Sequence, residues 1–350
     1  MWNQHVDACP GRNKFGHVGE QPDSMPLAWH NPLTNRTSFI SANDWGTFAK
    51  VAPTLSDLRS GALQADCSHR VYISVNSTDP SSFANHQWMQ SVHVYPNGSG
   101  VSLIHNEFHG DQIGPNASVC SQPKPSSSAC QIWSTGVGVT RDGGDHWELA
   151  ASPPAHMAFA LPRRYQLDQH LAGFGAIGAM VELDGHFYGH VMKVGQDGMA
   201  GNASGVCVFR SANPADPRSF RGWNGTAWAT RFVDPYTDSK HDLESGGHTC
   251  AVVPTAGSSA HPNPRKFGGD WMPSGWPSHV MLGWPEGAKN RVSYAFSDWA
   301  SGSPAPFTAW SQPQFLDITG WVPPAISTGE DLMYPALLDC DSPFELGVLL

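Results

Sequence analysis

The sequence predicts an all-β protein, a β-propeller of four-stranded antiparallel blades, and three observations carry that expectation. Only 14% of the 350 residues are charged, whereas Gly (36), Pro (29) and Trp (14) are abundant. That composition suits short strands, frequent turns and large aromatic plugs. No stretch keeps an i, i+3, i+4, i+7 apolar stripe for three turns without meeting Gly or Pro, which argues against long helices. A unit also recurs: an apolar strand, a Ser or Thr, a turn rich in Asp, Asn, Gly and Pro, then a Trp. It ends at Trp88, Trp147, Trp223 and Trp310.

Between the Trp-ended segments lies a second repeat, a strand–turn–strand. Residues 26–43 form its first copy. Residues 91–107 form the second, turning at Asn97-Gly98, and residues 176–194 the third, turning at Asp184-Gly185; both dipeptides favour tight hairpins. HTCAVVP and SHVMLGWP within 248–285 supply the fourth, separated by a long polar insertion, and 331–350 begins a fifth. One inner hairpin plus one outer pair makes a blade that cannot bury both faces alone, so blades stack about an axis. Residues 1–24 are expected as an extension and 25–350 as one propeller domain. The blades fall at about 25–88, 89–147, 170–223, 247–310 and, in part, 331–350. Five blades fit this count best; a six-bladed ring or a β-sandwich is the alternative. The last blade is expected to be truncated, because the chain stops at Leu350 as its hairpin closes.

The formal net charge is −10, and basic residues occur only in isolated pairs such as Arg163-Arg164, so no nucleic-acid footprint is present. No run of about 20 apolar residues predicts a membrane span. The N-terminus has no apolar h-region and does not read as a signal peptide. Six Asn-x-Ser/Thr sequons, at Asn35, Asn76, Asn97, Asn116, Asn202 and Asn224, nevertheless point to a glycosylated, secreted protein. Of seven Cys, Cys120 and Cys130 flank a loop they could close as a disulfide, whereas Cys67, Cys207 and Cys250 read as buried thiols in strands. No CxxC pair suggests zinc, and neither a metal nor a cofactor is expected.

The segment TRDGGDHW at 140–147 resembles the Asp-box of sialidases and related propeller glycosidases, S/T-x-D-x-G-x-x-W, with Thr140, Asp142, Gly144 and Trp147 at the defining positions. Asp142 is expected to bond turn N–H groups, Gly144 to take a positive φ, and Trp147 to plug the blade. The resemblance extends over 26–340 through HNP (30–32), LIHNEFHG (103–110) and MYPALLD (333–339). It implies a sialidase-like glycoside hydrolase, in which the Asp-box itself is structural.

The candidate chemistry sits at the ends of inner strands. His105, Glu107 and His109 alternate, so an extended strand presents all three on one face. Glycoside hydrolysis needs two carboxyls, and Glu107 is the first. Asp44, Glu330 and Asp331 are candidates for the second. The family resemblance adds Tyr334 as a nucleophile assisted by Glu107, and Arg70, Arg210 and Arg291 as a clamp for a substrate carboxylate. Asn106, His109, His30, Asn31, Asp44 and Arg70 are expected to bind substrate. The partner is a carbohydrate and the protein a monomer. Three activities fit: a hydrolase using carboxylate acid–base chemistry, a non-catalytic carbohydrate-binding propeller, and a polysaccharide lyase using His and Tyr.

Overall fold

The computed structural model describes residues 27–40, 46–52, 70–73, most of 75–112 and of 130–194, 205–240 and 250–253. Beyond these it describes 308, 311 and the strand segments 263–266, 279–283, 291–297, 314–317, 336–338 and 347–349. The protein is all-β; among the described residues the only helices recorded are short 3-10 turns.

Antiparallel meanders of four strands recur in chain order. The first is β1 (Leu27–Asn31), β2 (Arg36–Ile40), β3 (Gly46–Ala52) and β4 (Arg70–Ile73). The second is β5 (His86–Val94), β6 (Gly100–His109), β7 (Gln131–Thr140) and β8 (Glu148–Leu149), with β9 (Met157–Phe159) also paired to β7. The third runs from β10 (Ala172–Ile177) through β11 (Val181–Leu183) and β12 (His186–Val194) to β13 (Gly205–Ser211), β14 (Arg221–Gly222) and β15 (Thr230–Arg231). β16 (Val252–Val253) pairs with β13. The fourth is β17 (Asn263–Lys266), β18 (His279–Gly283), β19 (Arg291–Ser297) and β20 (Gln314–Asp317). A hairpin of β21 (Ala336–Leu338) and β22 (Gly347–Leu349) ends the described chain.

The turn chemistry explains the hairpins. Between β5 and β6, Gly98 takes φ +83 while the Tyr95 N–H donates to the Ser99 carbonyl at 2.8 Å. Between β11 and β12, Asp184 and Gly185 take φ +48 and +72, the pair of left-handed residues that a type I′ turn requires.

Three expectations are corrected. Trp88 does not end the first meander; it lies in β5, opposite His105, and belongs to the second. Residues 252–253 do not partner 279–283: they pair with β13, and β17, inside the expected polar insertion, is the partner of β18. Cys207 and Cys250 are not thiols but a disulfide, which fixes the chain beside β13 next to the Cys207↔Val252 register. Cys130 is also disulfide-bonded, and a pairing with Cys120 lies outside the described residues.

Two cores flank the second meander. On the side of the first, Leu27, Trp29, Ile40, Val71, Tyr72, Trp88, Met89, Ile104 and Trp147 pack together. On the other, Val101, Leu103 and Val137 meet Phe159, Phe174, Ile177, Phe187, Phe209 and Phe232. β6 is therefore covered on both faces. A bulge in β5 between Met89 and Ser91 accompanies the reach of Gln90 to the third meander, where its Oε1 accepts the Ile177 N–H at 2.7 Å.

The 140–147 turn joins the first two meanders. Thr140 Oγ1 donates to Asp142 Oδ1 at 2.8 Å and accepts from Gly144 N at 3.1 Å. The His146 N–H reaches Asp142 Oδ1 at 3.0 Å, and Trp147 Nε1 donates to the Gly144 carbonyl at 3.0 Å. Gly143 and Gly144 take φ +77 and +93. The first meander grips this turn: Trp29 Nε1 donates to the Gly143 carbonyl at 3.1 Å, and the Trp147 N–H to the Val71 carbonyl at 2.7 Å.

Candidate active site

A row of ionisable side chains lies at the far end of β6 from that turn. Gly100 is in register with Thr140 and Glu107 with Trp133, so the row stands roughly 24 Å along the strands from the turn. The odd positions of β6 share one face: Val101 and Leu103 make its first half apolar, and His105, Glu107 and His109 make its second half ionisable. This is the face the alternation predicts.

Both oxygens of Glu107 are held. His105 Nε2 meets Oε1 at 2.8 Å and His109 Nε2 meets Oε2 at 2.6 Å. The tautomer of His109 follows from its other nitrogen. Nδ1 accepts from Gln112 Nε2 at 3.1 Å and from Gln131 Nε2 at 3.2 Å, which leaves Nε2–H as the donor to Glu107. Gln112 also takes the His86 Nε2–H on its Oε1 at 2.9 Å. One chain of hydrogen bonds thus runs His86–Gln112–His109–Glu107–His105. Aromatic rings enclose it: His86 stacks on Trp88, and His105 lies between Trp88 at 5.5 Å and Trp133 at 5.0 Å. β10 backs His105, and a Cβ at Gly175 would overlap the imidazole.

Burial alone would raise the Glu107 carboxyl. The hydrogen bonds and charges of His105 and His109 outweigh it and bring the group down to about 2. The Glu107 side chain is only 15% exposed, so the ionised carboxylate is mostly enclosed and both its oxygens are fixed. Among the described residues no group of three His, Cys, Asp or Glu side chains is placed to hold a metal ion.

Two other residues expected to bind substrate have different places. Asn106 points to the opposite face of β6, fully buried, where it accepts from Gln87 Nε2 at 2.6 Å. Asn31 is also fully buried. Its Nδ2 donates to the Asp142 carbonyl and to Asp145 Oδ1, and its Oδ1 accepts from Leu33 N and Thr34 N. The whole amide serves the turn, so the expectation of a sugar-binding Asn31 is corrected to a scaffold role. His30 lies beside it on β1, half-buried. Arg70, exposed on β4, lines a cleft of about 410 Å³ with His146, Trp147 and Glu148 at the turn end of the sheet. Arg210 stands over the Trp228 ring in the third meander. Asp44, Glu330, Asp331, Tyr334, Asn76, Asn116, Asn202 and Cys120 lie outside the described residues.

Gln131, Gln112, His86 and Trp133 also belong to the site although the sequence does not single them out, and Trp88, which marks the end of a repeat in the sequence, joins them. Gln131 reaches His109 only because β7 pairs with β6 across an intervening stretch of about 20 residues, a register that spacing does not give. His86 and Trp88 carried a signal, since they alternate immediately before the recognised hairpin.

Behind the row, His156 is fully buried against Phe83 and Gly136, and burial lowers its pKa from 6.5 to about 4. The unfolded chain therefore binds this proton first. The stability is present above pH 6.5 and is lost as pH falls through 6.5 towards 4. His156→Leu is expected to remove about 2 kcal/mol of the stability lost between pH 7.5 and 5. Urea midpoints of both proteins at the two pH values measure it. Equal losses in both would exclude the buried imidazole as the cause. The loss from Glu107 lies lower, because its folded value is depressed: that stability is present above 4.5 and goes as pH falls towards 2.

No family model matches the chain, and no curated protein matches it. Solved structures do. A protein of unknown function from Dyadobacter fermentans is 12% identical, with 83% of this chain and 68% of that one covered, at a TM-score of 0.40. The α-L-arabinanase of Cellvibrio cellulosa complexed with arabinohexaose is 10% identical over 84% and 96%, at 0.32. An inulosucrase from Halalkalicoccus jeotgali bound to kestose is 11% identical over 90% and 68%, at 0.31. Likeness at this level assigns neither family nor activity to this chain.

Proposed function

We propose that the protein is a secreted carbohydrate-active β-propeller of five blades, and that it hydrolyses a glycan or polysaccharide at the His105–Glu107–His109 row. The observation that carries this is the clamped Glu107, an ionised carboxylate fixed at both oxygens on a strand end and opposite the half-buried Trp133 of β7. Indole rings suit the C–H faces of sugars, and a fixed carboxylate suits the positive charge that develops at an anomeric carbon. With its pKa near 2, Glu107 is the nucleophile or base of the pair and not the proton donor. The acid then comes from Asp331, Glu330 or Asp44.

The test is a screen of aryl glycosides and of neutral and uronate polysaccharides, read for reducing ends and for absorbance of an unsaturated product. New reducing ends without that absorbance are expected. Unsaturated ends would replace hydrolysis by a lyase reaction. Saturable binding of a glycan without any cleavage would make the row a lectin site.

A further inference from the structure

We infer that Asn224 carries an N-linked glycan whose first sugar packs against the paired indoles of Trp223 and Trp228. Asn224 is exposed at the tip of a tight turn, where its backbone N–H donates to the Ala227 carbonyl at 3.0 Å and Gly225 takes φ +102. Its Oδ1 is pinned by three donors: Thr226 N at 3.0 Å, Thr226 Oγ1 at 3.0 Å and Ala227 N at 2.8 Å. The amide plane is thereby fixed, and the sequon hydroxyl sits on the amide oxygen.

The setting separates Asn224 from the other described sequons. Trp223 and Trp228 flank it, both half-buried, with ring centroids 5.2 Å apart. Trp228 is held in place by Tyr188 at 5.5 Å and by the Arg210 guanidinium at 5.2 Å. Trp223 is fixed through its backbone, donating to the Val208 carbonyl and accepting from Ala251 N. A sugar on Nδ2 would have this held pair of indoles as neighbours within the same turn, and its C–H face could cover the part of them open to water. Asn97 has a similar turn, with Ser99 N and Oγ on its Oδ1, but its aromatic neighbour Tyr95 is engaged with His93 and Phe187. Asn35 sits at φ +54 before Thr37, which is buried in β2 opposite His30.

The step is a glycosyl transfer from a polyprenyl-diphosphate oligosaccharide. Asn224 Nδ2 bonds to the anomeric carbon, the bond from that carbon to the diphosphate oxygen breaks, and Nδ2 gives up one proton as the polyprenyl diphosphate leaves. The test uses the full chain secreted from a eukaryotic host behind a cleavable heterologous signal peptide, with peptide mass spectrometry after enzymatic glycan release in heavy-oxygen water. Asn224 is expected to be occupied in most molecules, and release of the glycan to lower Tm by about 2–4 °C. Thr226→Ala, which deletes the sequon and keeps Asn224, is expected to show the same lowered Tm without further change on release. Trp228→Ala is expected to keep occupancy and lose the shift. An unmodified Asn224 in the secreted protein would overturn the inference. So would a release that leaves the Tm unchanged in the parent protein.

Discussion

Replacing Glu107 by glutamine is expected to lower turnover of a responsive glycan about 10²–10⁴-fold while leaving oligosaccharide binding and the folded state in place. Glutamine has the shape of the carboxylate, and its single oxygen can accept only in part what Oε1 and Oε2 accept from His105 and His109. The charge that would stabilise an oxocarbenium-like transition state is gone, whereas a ground-state contact to Trp133 would remain. The loss should appear in kcat and leave KM nearly unchanged. A raised KM with unaltered kcat would place Glu107 among binding residues instead.

Gly143→Ala is expected to cost about 3–5 kcal/mol of stability. Two penalties coincide. The residue sits at φ +77, where an L side chain is strained, and a Cβ would fall inside the Asn31 amide. Displacing Asn31 strands a fully buried amide and breaks its bonds to the Asp142 carbonyl and to Asp145. Gly185→Ala is the control. Its φ is +72, yet nothing lies within 4 Å of the added Cβ, so only the backbone term of about 1 kcal/mol remains. Urea unfolding of the two variants separates the contributions. Equal losses would mean that Asn31 does not lock the turn.

What the sequence discloses about this fold depends on how local the cause is. The β5–β6 hairpin, with its Asn97-Gly98 turn and the shared face of His105, Glu107 and His109, follows from period-2 alternation and turn chemistry within one segment. The 140–147 turn is equally local, and its Thr140–Asp142–Gly144–Trp147 bonds form as the residue types dictate. Asn31 was out of reach because the partners of its Nδ2 are more than 100 residues away, and a rim residue and a buried lock look alike in sequence. β17 was missed because NPRK is polar and contains Pro, both signals against a strand. The assignment of 252–253 failed for a related reason: an apolar VV pairs with any neighbour, and the Cys207–Cys250 disulfide decides which. Within the site, the ionisable row was legible, whereas the glutamines that set its protonation were not. Gln131 and Gln112 act through a tertiary register and a 3-10 turn.

In the proposed hydrolysis the carboxylate of Glu107 is itself a reacting group. Glu107→Ala tests it directly, with turnover measured in the presence and absence of excess formate or azide, small anions that can enter the space the side chain leaves. The expected result is a folded, inactive variant whose turnover returns in part with the added anion, with a glycosyl azide among the products if Glu107 is the nucleophile. Undiminished turnover in Glu107→Ala, or a loss that neither anion restores in the folded protein, would contradict it.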